Sequence, residues 1–73
     1  MTRIPALTSR QLVPALKRAG YHEARQHGSH LAMRHATRAP IIVPMHARDV
    51  VRNTMMRILR QAGFTEEEFL AFL

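Results

Sequence analysis

Within residues 26–35, QHGSHLAMRH, three histidines and an arginine stand around a Gly-Ser pair. Histidine is the side chain whose ordinary pKa, about 6.5, lets it both accept and donate a proton near neutral pH. An arginine offers a planar fork of donors that matches a phosphate group. Proton transfer at a phosphodiester is therefore the chemistry these residue types can do together, with His30 as base or acid and Arg34 on the phosphate. Pro44-Met45-His46 supplies one more histidine, either a second acid-base or phosphate contact or a loop residue that only caps or solvates. A turn rich in histidine with no chemistry at all has the same composition, so the choice rests on the elements that hold these residues.

Other site chemistries fit less well. Read as metal ligands, His27, His30 and His35 have no cysteine beside them, and strand alternation separates His35 from the other two, so neither a metal nor a cofactor is expected. The chain contains no cysteine, which removes a disulfide frame and a Cys-His zinc site. Lys and Arg number 11 against 5 Asp and Glu, a formal charge of +6, and all but Lys17 are arginine. That bias favours a polyanion, nucleic acid first, although a solvated basic surface or an acidic protein partner fits the same count. Arg25, Arg34, Arg38 and Arg48 flank the strands and loops, where they can track a nucleic-acid backbone. Arg52, Arg57 and Arg60 read instead as the solvated side of a helix, and His22, His27 and His35 as surface residues.

The elements follow from periodicity. Thr8 with Gln11 forms a capping-box pattern, Leu12, Ala15, Leu16 and Ala19 recur at helical spacing, and Gly20 offers a left-handed stop. Pro14 should kink this helix unless its first turn starts later than Thr8. From Tyr21 to Val43 the helical period vanishes. YHEARQH, HLAMRH and APIIVP then read as three antiparallel strands joined by tight turns. In the middle strand, alternation sends Leu31 and Met33 towards covering helices and leaves His30, Ala32 and Arg34 on the open face. In RDVVRNTMMRILRQAG a second helix is expected, with Asp49 near its start, Val51, Met55, Ile58, Leu59 and Ala62 as its apolar stripe, and Gly63 at its end. FTEEEFLAFL starts a short last helix, with Thr65 and Glu68 as a capping box and Phe64 stapled onto Phe69.

These residues imply an α+β fold of order α-β-β-β-α with a short extra C-terminal helix, its three-stranded antiparallel sheet covered by helices on one face. At 73 residues the chain is expected to be one domain, 1–73. No apolar run nears the ~18–20 residues of a membrane span, and MTRIPALTSR lacks the apolar centre of a secretory signal, so a cytoplasmic protein without a membrane partner is expected.

GSH after the first strand, Pro44-Met45-His46, and TMMRILRQAGFTEEEFLAFL together resemble the HicA-type toxins, small mRNA interferases of toxin–antitoxin modules. The likeness runs from QLVPALKRAGY to the C-terminus. It implies a fold like a double-stranded-RNA-binding domain, cleavage of mRNA, a catalytic histidine at His30 with Gly28 and Ser29 forming its turn, and a HicB-type antitoxin as partner. Two positions differ from the common family pattern: Asn53-Thr54 stands in place of Gly-Thr, and Met33 is all the chain offers where an aromatic often follows the histidine. The alternative is a non-catalytic RNA-binding module of the same fold, which needs the arginines and not His30. A helix-turn-helix DNA binder built from the last two helices is disfavoured because TEEEF would set three glutamates against phosphates. FLAFL could form an interface, but its helical spacing behind a capping box suits a core.

Overall fold

The structure, a computed structural model, describes residues 3–45 and 48–73. A two-residue strand, β1 (Leu7–Thr8), runs directly into helix α1 (Ser9–Arg18). Thr8 Oγ1 accepts the Gln11 N–H at 3.2 Å, and the Gln11 side chain accepts the Thr8 N–H at 3.0 Å, closing the capping box. Pro14 lies inside α1 on its exposed side, and the helix continues past it as one element. At the far end the Gly20 N–H donates to the Lys17 carbonyl and the Tyr21 N–H to the Leu16 carbonyl, the Schellman pairing that a glycine at φ 105° permits.

Strands β2 (His22–His27), β3 (His30–Arg34) and β4 (Ile41–Pro44) form the antiparallel meander, in that spatial order. Leu31 pairs with Val43 and Met33 with Ile41, and all four are buried in one cluster with Leu12, Leu16, Ile58 and Leu59 from the helices. The helix-covered face is thus the one that alternation assigned to Leu31 and Met33. Between Glu23 and Arg25 a bulge shifts the register, so Glu23 pairs with Met33 on the helix side, where it meets Lys17 of α1 at 2.6 Å.

After β4 the structure corrects the expected start of the long helix. Asp49 and Val50 are a strand, β5 (Asp49–Val50), antiparallel to β1 with Leu7 opposite Val50 and Thr8 opposite Asp49. Helix α2 (Arg52–Ala62) begins only afterwards, with Val51 at its N-cap and no side-chain capping bond. Val50 is buried through this ladder, whereas Val51 is 65% exposed and drops out of the stripe formed by Met55, Ile58, Leu59 and Ala62. β-Branched residues suit such a ladder, and the pairing with Leu7 outweighs the helical register that Asp49 seemed to open.

Gly63, at φ 86°, ends α2, and helix α3 (Glu66–Leu70) follows behind the Thr65–Glu68 capping box. The Phe64 and Phe69 rings lie 5.8 Å apart, the expected staple, and Phe72 joins them at 5.7 and 5.9 Å. FLAFL therefore contributes to the core through Phe69, which is fully buried. Glu66 binds this corner to the N-terminus: its Oε2 accepts the Ile4 N–H at 2.6 Å, and Arg52 grips both carboxylate oxygens at 2.9 and 2.8 Å. Those bonds, Arg52 foremost, hold the Glu66 carboxyl down from 4.5 to about 2. No helix among the described residues is long and apolar enough to cross a membrane.

Candidate active site

The sequence His27-Gly28-Ser29-His30 closes the β2–β3 hairpin, with His27 and His30 as register partners. Gly28 has φ 60°, and no described non-glycine residue has positive φ, so only the first central residue is left-handed, as in a type II′ turn. A two-residue turn of this kind matches the strand twist and leaves no slack, which fixes where His30 starts. The Gln26 amide donates to the Gly28 carbonyl at 3.2 Å, and the half-buried Ser29 accepts the Met45 N–H, joining the turn to the end of β4.

Register then assembles the open face around His30. Pro44 stands opposite it, Ile42 opposite Ala32, Arg25 opposite Ala32 on the other side, and His22 opposite Arg34. His22, Arg25, His27, His30 and Arg34 are all exposed, and Arg25 and Arg34 have no hydrogen bond or ion pair among the described residues. His27 thus sets a second imidazole beside His30, its Cβ about 5 Å away by the geometry of cross-strand pairs. The sequence reading left His27 on the surface without a role. The two-residue spacing GS between the two histidines is the signal that could have paired them.

β4 is an edge strand with α2 packed against it. At that edge a cleft of ≈ 380 Å³ is lined by His30, Ile42 and Pro44 from the sheet and by Arg57, Ile58 and Gln61 from α2. Arg57 and Gln61 are four residues apart and so share one side of the helix. A neighbouring groove is lined by Arg48, Asp49, Thr54 and Arg57, which brings Arg48 close to the same end of α2. Arg57, assigned from sequence to a solvated helix side, is exposed but borders both. His46 lies outside the described residues. A separate recess between Ile4, Pro5, Val50 and Met55 contains no histidine, and its Arg52 is bound to Glu66.

Two residues that follow β3 have structural partners. Arg38 donates to the carbonyls of Ala62 at 3.1 Å and Gly63 at 3.3 Å, and its guanidinium sits 3.8 Å over the Phe64 ring. His35 is half-buried rather than a surface residue: its Nδ1 accepts the Thr37 N–H at 3.1 Å, so Nε2 carries the proton and donates to the Ala19 carbonyl at 3.0 Å. It also meets Tyr21 edge-on at 4.9 Å. A Cβ on Gly20 would come within 2.5 Å of that Nε2, which gives Gly20 a second reason besides its φ. Among the described residues no three His, Asp or Glu side chains gather as metal ligands.

No curated protein matches the chain. The model of a family described as the HicA toxin of bacterial toxin-antitoxin matches residues 9–64, from the first turn of α1 through the hairpin, the sheet and α2 to Phe64. That span contains the GSH turn and both walls of the cleft, and the chain belongs to the HicA toxin family of bacterial toxin–antitoxin systems.

Proposed function

We propose that this toxin is an mRNA interferase of a type II module, cutting mRNA by metal-independent acid-base catalysis at His30 and held inactive by a HicB-type antitoxin. The observation that carries the reading is the presentation of His30: a tight type II′ hairpin holds it exposed at the mouth of a cleft, on a sheet face whose arginines have no partners among the described residues.

In this reaction His30 takes the proton of a ribose 2′-hydroxyl and the 2′-oxygen bonds to the neighbouring phosphorus. The bond from phosphorus to the 5′-oxygen breaks, and that oxygen takes up a proton from a donor on the other side. The products are a 2′,3′-cyclic phosphate and a free 5′-hydroxyl, with no co-reactant consumed. Gly28 and Ser29 hold the turn. Arg25 and Arg34 bind flanking phosphates along the open face, and Arg48 extends the track beyond β4. Arg38 holds the α2–α3 turn, since its guanidinium already has acceptors. Ile42, exposed to 56% beside the cleft, gives a base an apolar surface where the family's aromatic is missing. An antitoxin laid over this face blocks it, and the cation surplus suits an acidic covering surface.

The test is incubation of the purified chain, freed of any co-purifying partner, with a long mRNA in EDTA beside an equally folded His30→Ala variant. The parent alone should cut, and the variant should lose about 10²–10⁴-fold in rate. Equal cutting by both removes His30 from the chemistry, and 5′-phosphate ends exclude the route. If neither cuts while both bind RNA, the non-catalytic RNA-binding module is the better reading.

A further inference from the structure

We infer that Arg57 is the residue that binds the scissile phosphate beside His30, so that the reacting group of a single-stranded RNA sits in the cleft between the β4 edge and α2. The inference rests on the nuclease reading above and assigns a role that the open face does not fill.

Distance along the strand decides against Arg34 for this task. It lies four positions along β3 from His30, about 13 Å at ~3.3 Å per residue, and does not line the cleft, which suits a neighbouring nucleotide. Arg25 belongs to β2, two strands away from β4 and the cleft. Arg57 lines the same cleft as His30, and none of the six lining residues is acidic. It has no hydrogen bond or ion pair among the described residues, unlike Arg18, Arg38 and Arg52, whose guanidinium groups already have acceptors. Arg57 also borders the groove with Arg48 and Thr54 and a further groove with Asn53 and Arg60. The backbone of a strand entering the cleft can continue over either, which makes Arg57 the point where the track and the reacting histidine meet.

The chemistry asks for this residue type at this place. As the 2′-oxygen closes on phosphorus, negative charge grows on the non-bridging oxygens, and a guanidinium fork can grip two of them at once. Pro44 on the sheet wall and Ile58 on the helix wall add apolar surface to the cleft, which strengthens the contact. Gln61, one turn on from Arg57, adds an amide that can donate to the phosphate or to a base edge.

Single-turnover cleavage of a single-stranded RNA by the full chain tests the assignment, with His30→Ala, Arg57→Ala, Arg57→Lys and Arg34→Ala compared after thermal unfolding shows all to be equally folded. Arg57→Ala should lower kcat about 10²-fold or more, and Arg57→Lys should recover part of the loss. Arg34→Ala should chiefly raise KM, by several-fold. If His30→Ala is inactive but Arg57→Ala changes kcat no more than Arg34→Ala does, the Arg57 assignment falls and the nuclease reading stands. If His30→Ala cuts like the parent, or the parent does not cut, the nuclease reading falls and takes Arg57 with it.

Discussion

Two regions of the molecule use the same residue in opposite ways. At the corner where α3 meets the N-terminus, three arginines are bound: Arg18 Nε donates to the Phe72 carbonyl at 2.6 Å, Arg38 reaches the end of α2, and Arg52 grips Glu66. Around the hairpin and the cleft, Arg25, Arg34 and Arg57 have no such partner among the described residues. The acceptors explain the contrast: Glu66 at the start of α3 takes Arg52, and backbone carbonyls at the ends of α2 and of the chain's last turn take Arg38 and Arg18. A basic chain thus divides its charge: some arginines bind carbonyls and carboxylates at element ends, and others, unpartnered among the described residues, stand on the sheet face and cleft where His30 is presented. Charge count alone could not make that division.

Variants that spoil one region and spare the other test the comparison. The largest effect belongs to Phe69→Ala, which empties a fully buried position between Phe64 and Phe72 and should cost about 3–5 kcal/mol in a denaturant titration. A cost below about 1 kcal/mol would show that the corner is not part of the core. Next comes the pair Arg38→Ala and Arg25→Ala. The first loses two carbonyl bonds and a ring contact and should destabilise by about 1–2 kcal/mol. The second should leave stability within about 0.5 kcal/mol and reduce the salt slope of RNA binding by about 1. Reversed results would exchange the two roles.

The smallest effect is acid dependence. Because folding depresses the Glu66 carboxyl from 4.5 to about 2, its stabilisation is present above pH 4.5 and is lost as pH falls towards 2. The melting temperature should therefore drop through that window, and Glu66→Gln should flatten part of the drop while lowering the plateau above it. Glu68, also depressed by its bonds to Thr65, keeps some acid dependence in the variant. An unchanged acid profile in Glu66→Gln would mean that the bond to Ile4 and Arg52 adds nothing to stability.

Much of this was legible in the residues themselves. Thr8 with Gln11 and Thr65 with Glu68 cap the helices they were expected to cap, Gly20 and Gly63 end theirs, and the alternation in HLAMR divides buried Leu31 and Met33 from exposed His30 and Arg34. Each of these signals works over one helical turn or two strand positions, so neighbours in sequence decide it. Asp49 and Val51 misled for the same reason: local pattern favoured a helix start, while Leu7, more than 40 residues away, drew Val50 into a ladder.

The sequence by itself determined the order of the three helices and the three-stranded meander, the face of β3 on which His30 lies and the turn that holds it there. The tertiary structure alone decided which arginines are bound and which are free, that His35 ties β3 to the end of α1, and that α2 lies along the edge of β4 with Arg57 beside His30. The physical reason is range. Caps, turns and alternation are set by backbone geometry within a few residues, whereas the fate of a long charged side chain depends on which acceptors packing brings within its reach.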